Sequence, residues 1–197
     1  MSKTVAFYFD LGSPASYLAW TQLPALCARH GATLEYRPIL LGGVFQATGN
    51  ASPAMVPAKG RYMFIDLGRY AARYGVPFTL PPGFPINTLT LMRGVFGVQM
   101  RSPERLAPLL EALFNGLWAQ GRNLGDVAVL DDTLGQAGFD PAAFHALAAD
   151  VEVKAALKQA TEAAVARGVF GAPTCFVEGQ MYFGQDRLDF VEAALGQ

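Results

Sequence analysis

The sequence predicts an α/β fold in which a βαβ unit and a ββα unit are held apart by a long all-helical segment. Three observations carry this. Strand, helix and strand patterns follow one another between Thr4 and Pro38. No run of strand character then occurs until Val169. Finally, two apolar runs split by Glu178-Gly179 precede a closing helix. A parallel βαβ crossover of this kind is right-handed in nearly all sheets.

Thr4 to Phe9 is almost continuously apolar, as a strand buried on both faces requires. Ser13 is a favoured N-cap, Pro14 suits the first helical position and Gly31 follows the end, which predicts a helix over Ser13 to Arg29. Ala32 to Arg37 alternates as a second strand, and Pro38 ends it. Leu40 to Pro57, rich in Gly, Pro and small polar residues, reads as a loop. Ala58 to Tyr74 is helical until Gly75-Val76-Pro77 stops it. A Pro-rich loop covers Leu80 to Ile86, and Asn87 then reads as the N-cap of a helix reaching Met100. Pro103 opens a helix of about 17 residues with Glu104 in its first turn. Asp126 to Gln136, Pro141 to Ala148 and Glu152 to Arg167 are three more helices. Thr174 to Val177 and Gln180 to Phe183 form a hairpin, and Arg187 to Leu195 is the last helix with Asp186 as its N-cap. The expected domains are residues 1–40 with 166–197, and an inserted helical domain over 41–165.

The chain has 197 residues, is 52% hydrophobic and 16% charged, and carries a formal net charge of -1, so it can bury a large core. No basic run marks a nucleic-acid or anionic-membrane surface. No apolar stretch approaches the roughly 20 residues that span a bilayer. Met1-Ser2-Lys3-Thr4 passes straight into a strand without a signal-peptide apolar region, so the expectation is a soluble cytoplasmic protein. Cys27 and Cys175 lie far apart, in no metal or redox spacing, and read as buried small hydrophobes. With only His30 and His145, a zinc site or a histidine triad is hard to build, and no metal is expected.

The βαβ, helical insert, ββα order is that of a thioredoxin-like fold. In that fold the reactive cysteine stands where a buried strand turns into the first helix, and here Ser13 occupies the place. The helix N-terminus favours negative charge there and would lower the pKa of a thiolate. Ser13 cannot supply the sulfur, but its hydroxyl can donate a hydrogen bond to one, or simply cap the helix. Pro173 precedes the late strand where thioredoxin-like proteins place a cis proline. A cis Ala172–Pro173 bond would present the N–H and C=O of Ala172 to an extended peptide added as a short strand. Asp186 could pair with the ammonium group of such a peptide, whose carboxylate would lie at the helix N-terminus.

Five segments resemble the family shared by 2-hydroxychromene-2-carboxylate isomerases and kappa-class glutathione transferases. They are residues 7–17 (Phe7 to Tyr17), 49–53, 57–59, 168–174 and 184–188, spread over most of the chain. The resemblance implies bound glutathione as cofactor, a small aromatic substrate and a homodimer. It also implies that Ser13 is the catalytic serine facing the glutathione sulfur, with Asn50 and Lys59 in the glutathione site. Ala172 would be the residue before cis Pro173, and Gln185 and Asp186 the γ-glutamyl anchors. Ala172 is smaller than the residue some relatives carry, so the pocket shape is expected to differ there.

The implied activity interconverts 2-hydroxychromene-2-carboxylate and trans-o-hydroxybenzylidenepyruvate, intermediates of aromatic-ring degradation such as that of naphthalene. A kappa-like glutathione transferase or peroxidase is the alternative, and a non-catalytic thioredoxin-fold binding protein a third. Without a Cys-x-x-Cys pair, a disulfide oxidoreductase is disfavoured. Tyr62, Phe64, Tyr70 and Tyr74 read either as a substrate roof or as core. Asn87 and Arg93 are polar residues of the insert that could bind substrate or serve the surface and helix pairing.

Overall fold

A computed structural model describes residues 2–196. Strands β1 (Thr4–Phe9), β2 (Thr33–Pro38), β3 (Thr174–Val177) and β4 (Gln180–Phe183) form one sheet in the order β2-β1-β3-β4. β1 pairs parallel with β2, Thr4 opposite Thr33 and Phe9 opposite Pro38, and antiparallel with β3. The two central strands are the most apolar, because both of their faces are covered. Helix α1 (Pro14–Arg29) joins β1 to β2, and α9 (Leu188–Gly196) closes the chain. This is the expected thioredoxin-like core.

Between β2 and β3 lie helices α2 (Leu41–Thr48), α3 (Pro57–Tyr74), α4 (Leu89–Arg101), α5 (Leu106–Phe114), α6 (Val127–Gln136), α7 (Pro141–Ala149) and α8 (Val151–Ala166). α5 is entered by a 3-10 turn at Pro103–Arg105 and continues into a π-turn at Asn115–Ala119, which together make the long helix expected from Pro103. No helix among the described residues is long and apolar enough to cross a membrane.

The stretch expected as a loop over 40–57 contains α2. Its glycines lower intrinsic helix propensity, and tertiary contacts override that. The Leu41 N–H donates to the Asp10 carboxylate at 2.8 Å and the Leu40 N–H to Thr161 Oγ1 at 3.0 Å, while Val44 is fully buried. Gly43 lets the helix approach α8, since a Cβ there would sit 3.3 Å from Thr161 Cγ2. The helix after Asn87 begins at Leu89, and Asn87 Oδ1 accepts the Leu89 N–H at 2.9 Å from one position earlier than an N-cap. The closing helix begins at Leu188 after a 3-10 turn, so Asp186 does not cap it.

The insert packs onto the end of β1. The Trp118 indole N–H donates to the Leu11 carbonyl at 2.8 Å, and Met92 sulfur accepts the Leu11 N–H at 3.3 Å. Phe9, Leu11, Tyr17, Phe114 and Trp118 are buried in the shared core. The turn that carries Ser13 is therefore clamped from both sides.

α4 and α7 meet at glycines. A Cβ on Gly94 would fall inside the Phe144 ring, and one on Gly97 would lie 2.8 Å from Leu147 Cβ. Gly94→Ala gains about 1 kcal/mol of helix propensity, while overpacking a filled core costs about 1–3 kcal/mol. A net loss of stability is expected, read as a lower urea midpoint at unchanged slope.

Candidate functional site

β1 ends at Phe9, and the next residue, Asp10, is fully buried. One carboxylate oxygen accepts the Gly12 N–H at 2.8 Å and the other the Leu41 N–H at 2.8 Å, with the Thr88 hydroxyl beside them. The Asp10 carbonyl accepts the Ser13 N–H at 3.0 Å. These bonds fix a tight turn, and Gly12 is needed in it because a Cβ would meet Thr88 Cγ2 at 2.8 Å. Burial pushes the Asp10 carboxyl above the usual carboxylate range, against the pull of its hydrogen bonds.

Ser13 caps α1: its Oγ accepts the Ser16 N–H at 3.1 Å. The same hydroxyl donates to the Ala172 carbonyl at 2.9 Å. The Ala172–Pro173 bond is cis, as expected. The Ala172 C=O already accepts one of the two hydrogen bonds a carbonyl can take, from Ser13. Among the described residues the Ala172 N–H has no hydrogen-bond partner.

Above Ser13 opens a cavity of about 610 Å³. α1 and the 170–172 loop, with Asn50 against it, line one part, α2 another, and Met63 and Leu67 of α3 with Phe84 the roof. Ser13, Asn50, Ala172 and Gln185 all line it, so four of the expected site residues are brought together. Asn50 is held there by its Nδ2–H donating to the Phe170 carbonyl at 2.9 Å. Gln185 is buried, yet among the described residues its side-chain amide bonds to no protein group. The amide atoms are not sealed off, since Ser16 Oγ alone among the described residues is an enclosed side-chain polar atom without a partner, so the Gln185 amide is open to a molecule in the cavity.

The other expected residues lie outside the lining. Pro173 is buried behind Ala172, its carbonyl accepting the Gly184 N–H at 3.0 Å. Lys59 is exposed in the first turn of α3. Asp186 lies in an adjoining crevice with Tyr70 and Tyr74, paired with Arg187 at 2.6 Å. The roof is made by Met63 and Leu67 rather than the tyrosine stripe. Tyr62 is 61% exposed, and the Tyr74 hydroxyl donates to the Gln185 carbonyl at 2.8 Å, steadying the turn that carries Gln185.

Sequence reasoning missed Asp10, Asp66 and Thr88, which also line the cavity. Asp10 left one signal, a lone acid closing an apolar strand; Asp66 and Thr88 left none. No Lys or Arg lines the cavity, so its polar character comes from hydroxyls, amides and acids.

Neither cysteine reaches the site. Cys27 and Cys175 are buried; burial raises the first thiol and pushes the second up to about 12. The native protein is expected to leave both unmodified by a disulfide reagent at neutral pH and to expose two thiols in denaturant. Among the described residues no cluster of His, Cys, Asp and Glu could hold a metal.

The fold and the site define a thioredoxin-fold protein with a peptide-sized cleft at the α1 N-terminus and a hydroxyl where a redox thiol would stand. The family described as DSBA-like thioredoxin domain matches residues 4–196. The chain is 36% identical to a 2-hydroxychromene-2-carboxylate isomerase of Sphingobium xenophagum over 198 residues, covering 99% of each chain. It is 29% identical to glutathione S-transferase kappa 1 of Rattus norvegicus, covering 99% of this chain and 92% of that protein. A solved 2-hydroxychromene-2-carboxylate isomerase superposes with a TM-score of 0.88 at 31% identity, covering 98% of this chain and 94% of the other. The chain therefore belongs to the DSBA-like thioredoxin-domain family, within its group of 2-hydroxychromene-2-carboxylate isomerases and kappa-class glutathione transferases.

Proposed function

We propose that the protein is a glutathione-dependent isomerase interconverting 2-hydroxychromene-2-carboxylate and trans-o-hydroxybenzylidenepyruvate. One observation carries the reading: the Ser13 hydroxyl lies at a helix N-terminus beside the unpaired Ala172 N–H, in a cavity that neither of the protein's thiols reaches. A donor set suited to a thiolate, with no sulfur of its own, fits a thiol that arrives as cofactor.

The residues present fit glutathione. The unpaired Ala172 N–H is available to a peptide carbonyl, and the unbonded Gln185 amide to the γ-glutamyl group. Asn50 stands beside the 170–172 loop, its amide on the Phe170 carbonyl. Lys59, one turn before the lining Met63 on α3, and Asp186, next to Gln185, would act on the ligand only as outer charges. When bound, glutathione supplies a nucleophilic sulfur able to add reversibly to a conjugated carbon, so that a double bond becomes a rotatable single bond. The chain's part is to hold that sulfur ionised. Ser13 has one hydroxyl proton, which it donates to the Ala172 carbonyl. A charge-assisted bond is about twice as strong as a neutral one, so donation to a thiolate displaces the existing bond and frees that carbonyl for a peptide N–H. The apolar roof of Met63, Leu67 and Phe84 suits an aromatic ring.

The test is a spectral assay with 2-hydroxychromene-2-carboxylate, with and without glutathione, followed by a total-glutathione assay. Turnover that needs glutathione and leaves its total constant supports the isomerase. Depletion of glutathione assigns the kappa-like transferase chemistry instead, and full turnover without glutathione sinks both.

A further inference from the structure

We propose a second ligand site, for an amphipathic organic anion, in the groove between α2, α4 and α8. The groove encloses about 740 Å³, within the range of small-molecule sites. It is separate from the cavity over Ser13, with α2 as the wall between them. Gly43, Gln46 and Ala47 face the groove, while Leu41, Gly42 and Phe45 face the cavity.

The floor of the groove is apolar: Leu40, Leu89, Leu157 and Val165 line it. Four charged side chains also line it, Arg93, Lys154, Lys158 and Glu162. Glu162 lies 3.7 Å from Lys158 and answers that charge. Arg93 and Lys154 are half-buried, and among the described residues neither makes an ion pair or a side-chain hydrogen bond. Every other ionisable side chain on the groove is thus matched, and two cations beside an apolar floor are not. The Thr161 hydroxyl is not available to them, because it donates to the Leu157 carbonyl at 2.8 Å and accepts the Leu40 N–H.

A guanidinium partly withdrawn from water gains most from a planar anion that satisfies several of its N–H donors at once. An apolar body on that anion would cover the leucine floor. The complementary chemistry is therefore an aryl or alkyl group carrying one carboxylate or sulfonate. A neutral apolar molecule leaves the cations unanswered, and a small inorganic anion leaves the floor wet. The site does not depend on thiol chemistry and stands or falls apart from the proposed isomerase activity.

Calorimetric titration of the full chain with 2-naphthoate and with its neutral isostere, 2-naphthamide, tests this. A hydrogen bond to a charged group contributes about 1.5–3 kcal/mol, so the carboxylate is expected to bind about tenfold or more tightly than the amide. The double variant R93Q/K154Q is expected to abolish that preference. Ala155→Trp, an exposed position on the groove, is expected to block both ligands and serves if the double variant fails to fold. Saturating S-methylglutathione is expected to leave the naphthoate isotherm unchanged.

Equal affinity for the two probes overturns the proposal, as does a preference that survives in R93Q/K154Q. Naphthoate binding that S-methylglutathione displaces and Ala155→Trp does not affect assigns the anion to the cavity over Ser13. If sedimentation shows a dimer that Ala155→Trp dissociates and no naphthoate binding to that dimer, the groove is an interface between copies of the chain and not a ligand site.

Discussion

Ser13→Ala is expected to raise the pKa of the bound glutathione thiol by about one to two units and to slow isomerisation at neutral pH by about 10- to 100-fold. The figure follows from one bond. A hydrogen bond to a charged group contributes about 1.5–3 kcal/mol, and each pKa unit corresponds to about 1.36 kcal/mol. The thiolate fraction falls accordingly when the only side-chain hydroxyl at the α1 N-terminus that lines the cavity is removed. Loss of the cap costs about 1 kcal/mol of stability, too little to unfold a core this size. The rate defect should therefore shrink as the pH is raised toward full ionisation of the thiol, which lost folding would not do. Titrating thiolate ultraviolet absorbance in the complex, with the pH-rate profile alongside, checks both parts. An unchanged profile would show that Ser13 only caps α1. Ser13→Cys gives the reverse expectation: a thiol of lowered pKa at a helix N-terminus, open to the disulfide reagent that leaves Cys27 and Cys175 untouched.

The parts of this molecule legible in the sequence are those written in local chemistry. β1, β3 and β4 follow from apolar runs and their punctuation, and α1 from Ser13, Pro14 and Gly31. Ser13, Asn50, Ala172 and Gln185 could be named because they sit in short segments with the family's residues, and they do share one cavity. What was not legible depends on contacts between distant segments. α2 forms although Leu41-Gly42-Gly43 argues against it, because the amides at its start are capped by Asp10, just past β1 and 31 positions away, and by Thr161, 121 positions away. Asp186 looks like a helix cap in the sequence, but Arg187 takes its carboxylate and the helix starts later. The tyrosines of α3 carry the same apolar signal as Met63 and Leu67, and only the helix's orientation decides which residues face the cleft.

Loss of Asp10 should loosen two walls of the site at once. Asp10→Ala leaves the N–H groups of Gly12 and Leu41 without acceptors. An orphaned buried donor costs about 1–3 kcal/mol, so the loss of two is expected to be about 2–6 kcal/mol in total. Amide exchange should accelerate first at the start of α2 and in the Ser13 turn, the two walls that the carboxylate ties together. Asp10→Asn should cost less, since one oxygen still accepts while the amide NH₂ opposes the other donor. The pH dependence has an unusual sign. Most carboxylates that gain partners on folding have lowered pKa values and stabilise the fold as pH rises. Burial holds the Asp10 carboxyl above its ordinary value of 3.8. Between pH 3.8 and the folded pKa the folded form therefore binds more protons than the unfolded chain, so its contribution is fully present below pH 3.8 and lost as pH rises through the folded pKa. The stability gap between the native chain and Asp10→Asn should thus be widest in acid and narrow as pH rises above 3.8. Other carboxylates cancel in that difference, so urea unfolding of the pair across pH isolates this one group. A gap that widens with pH would mean that the two N–H bonds outweigh desolvation, and that Asp10 stands as a fully ionised anchor beneath the thiol site.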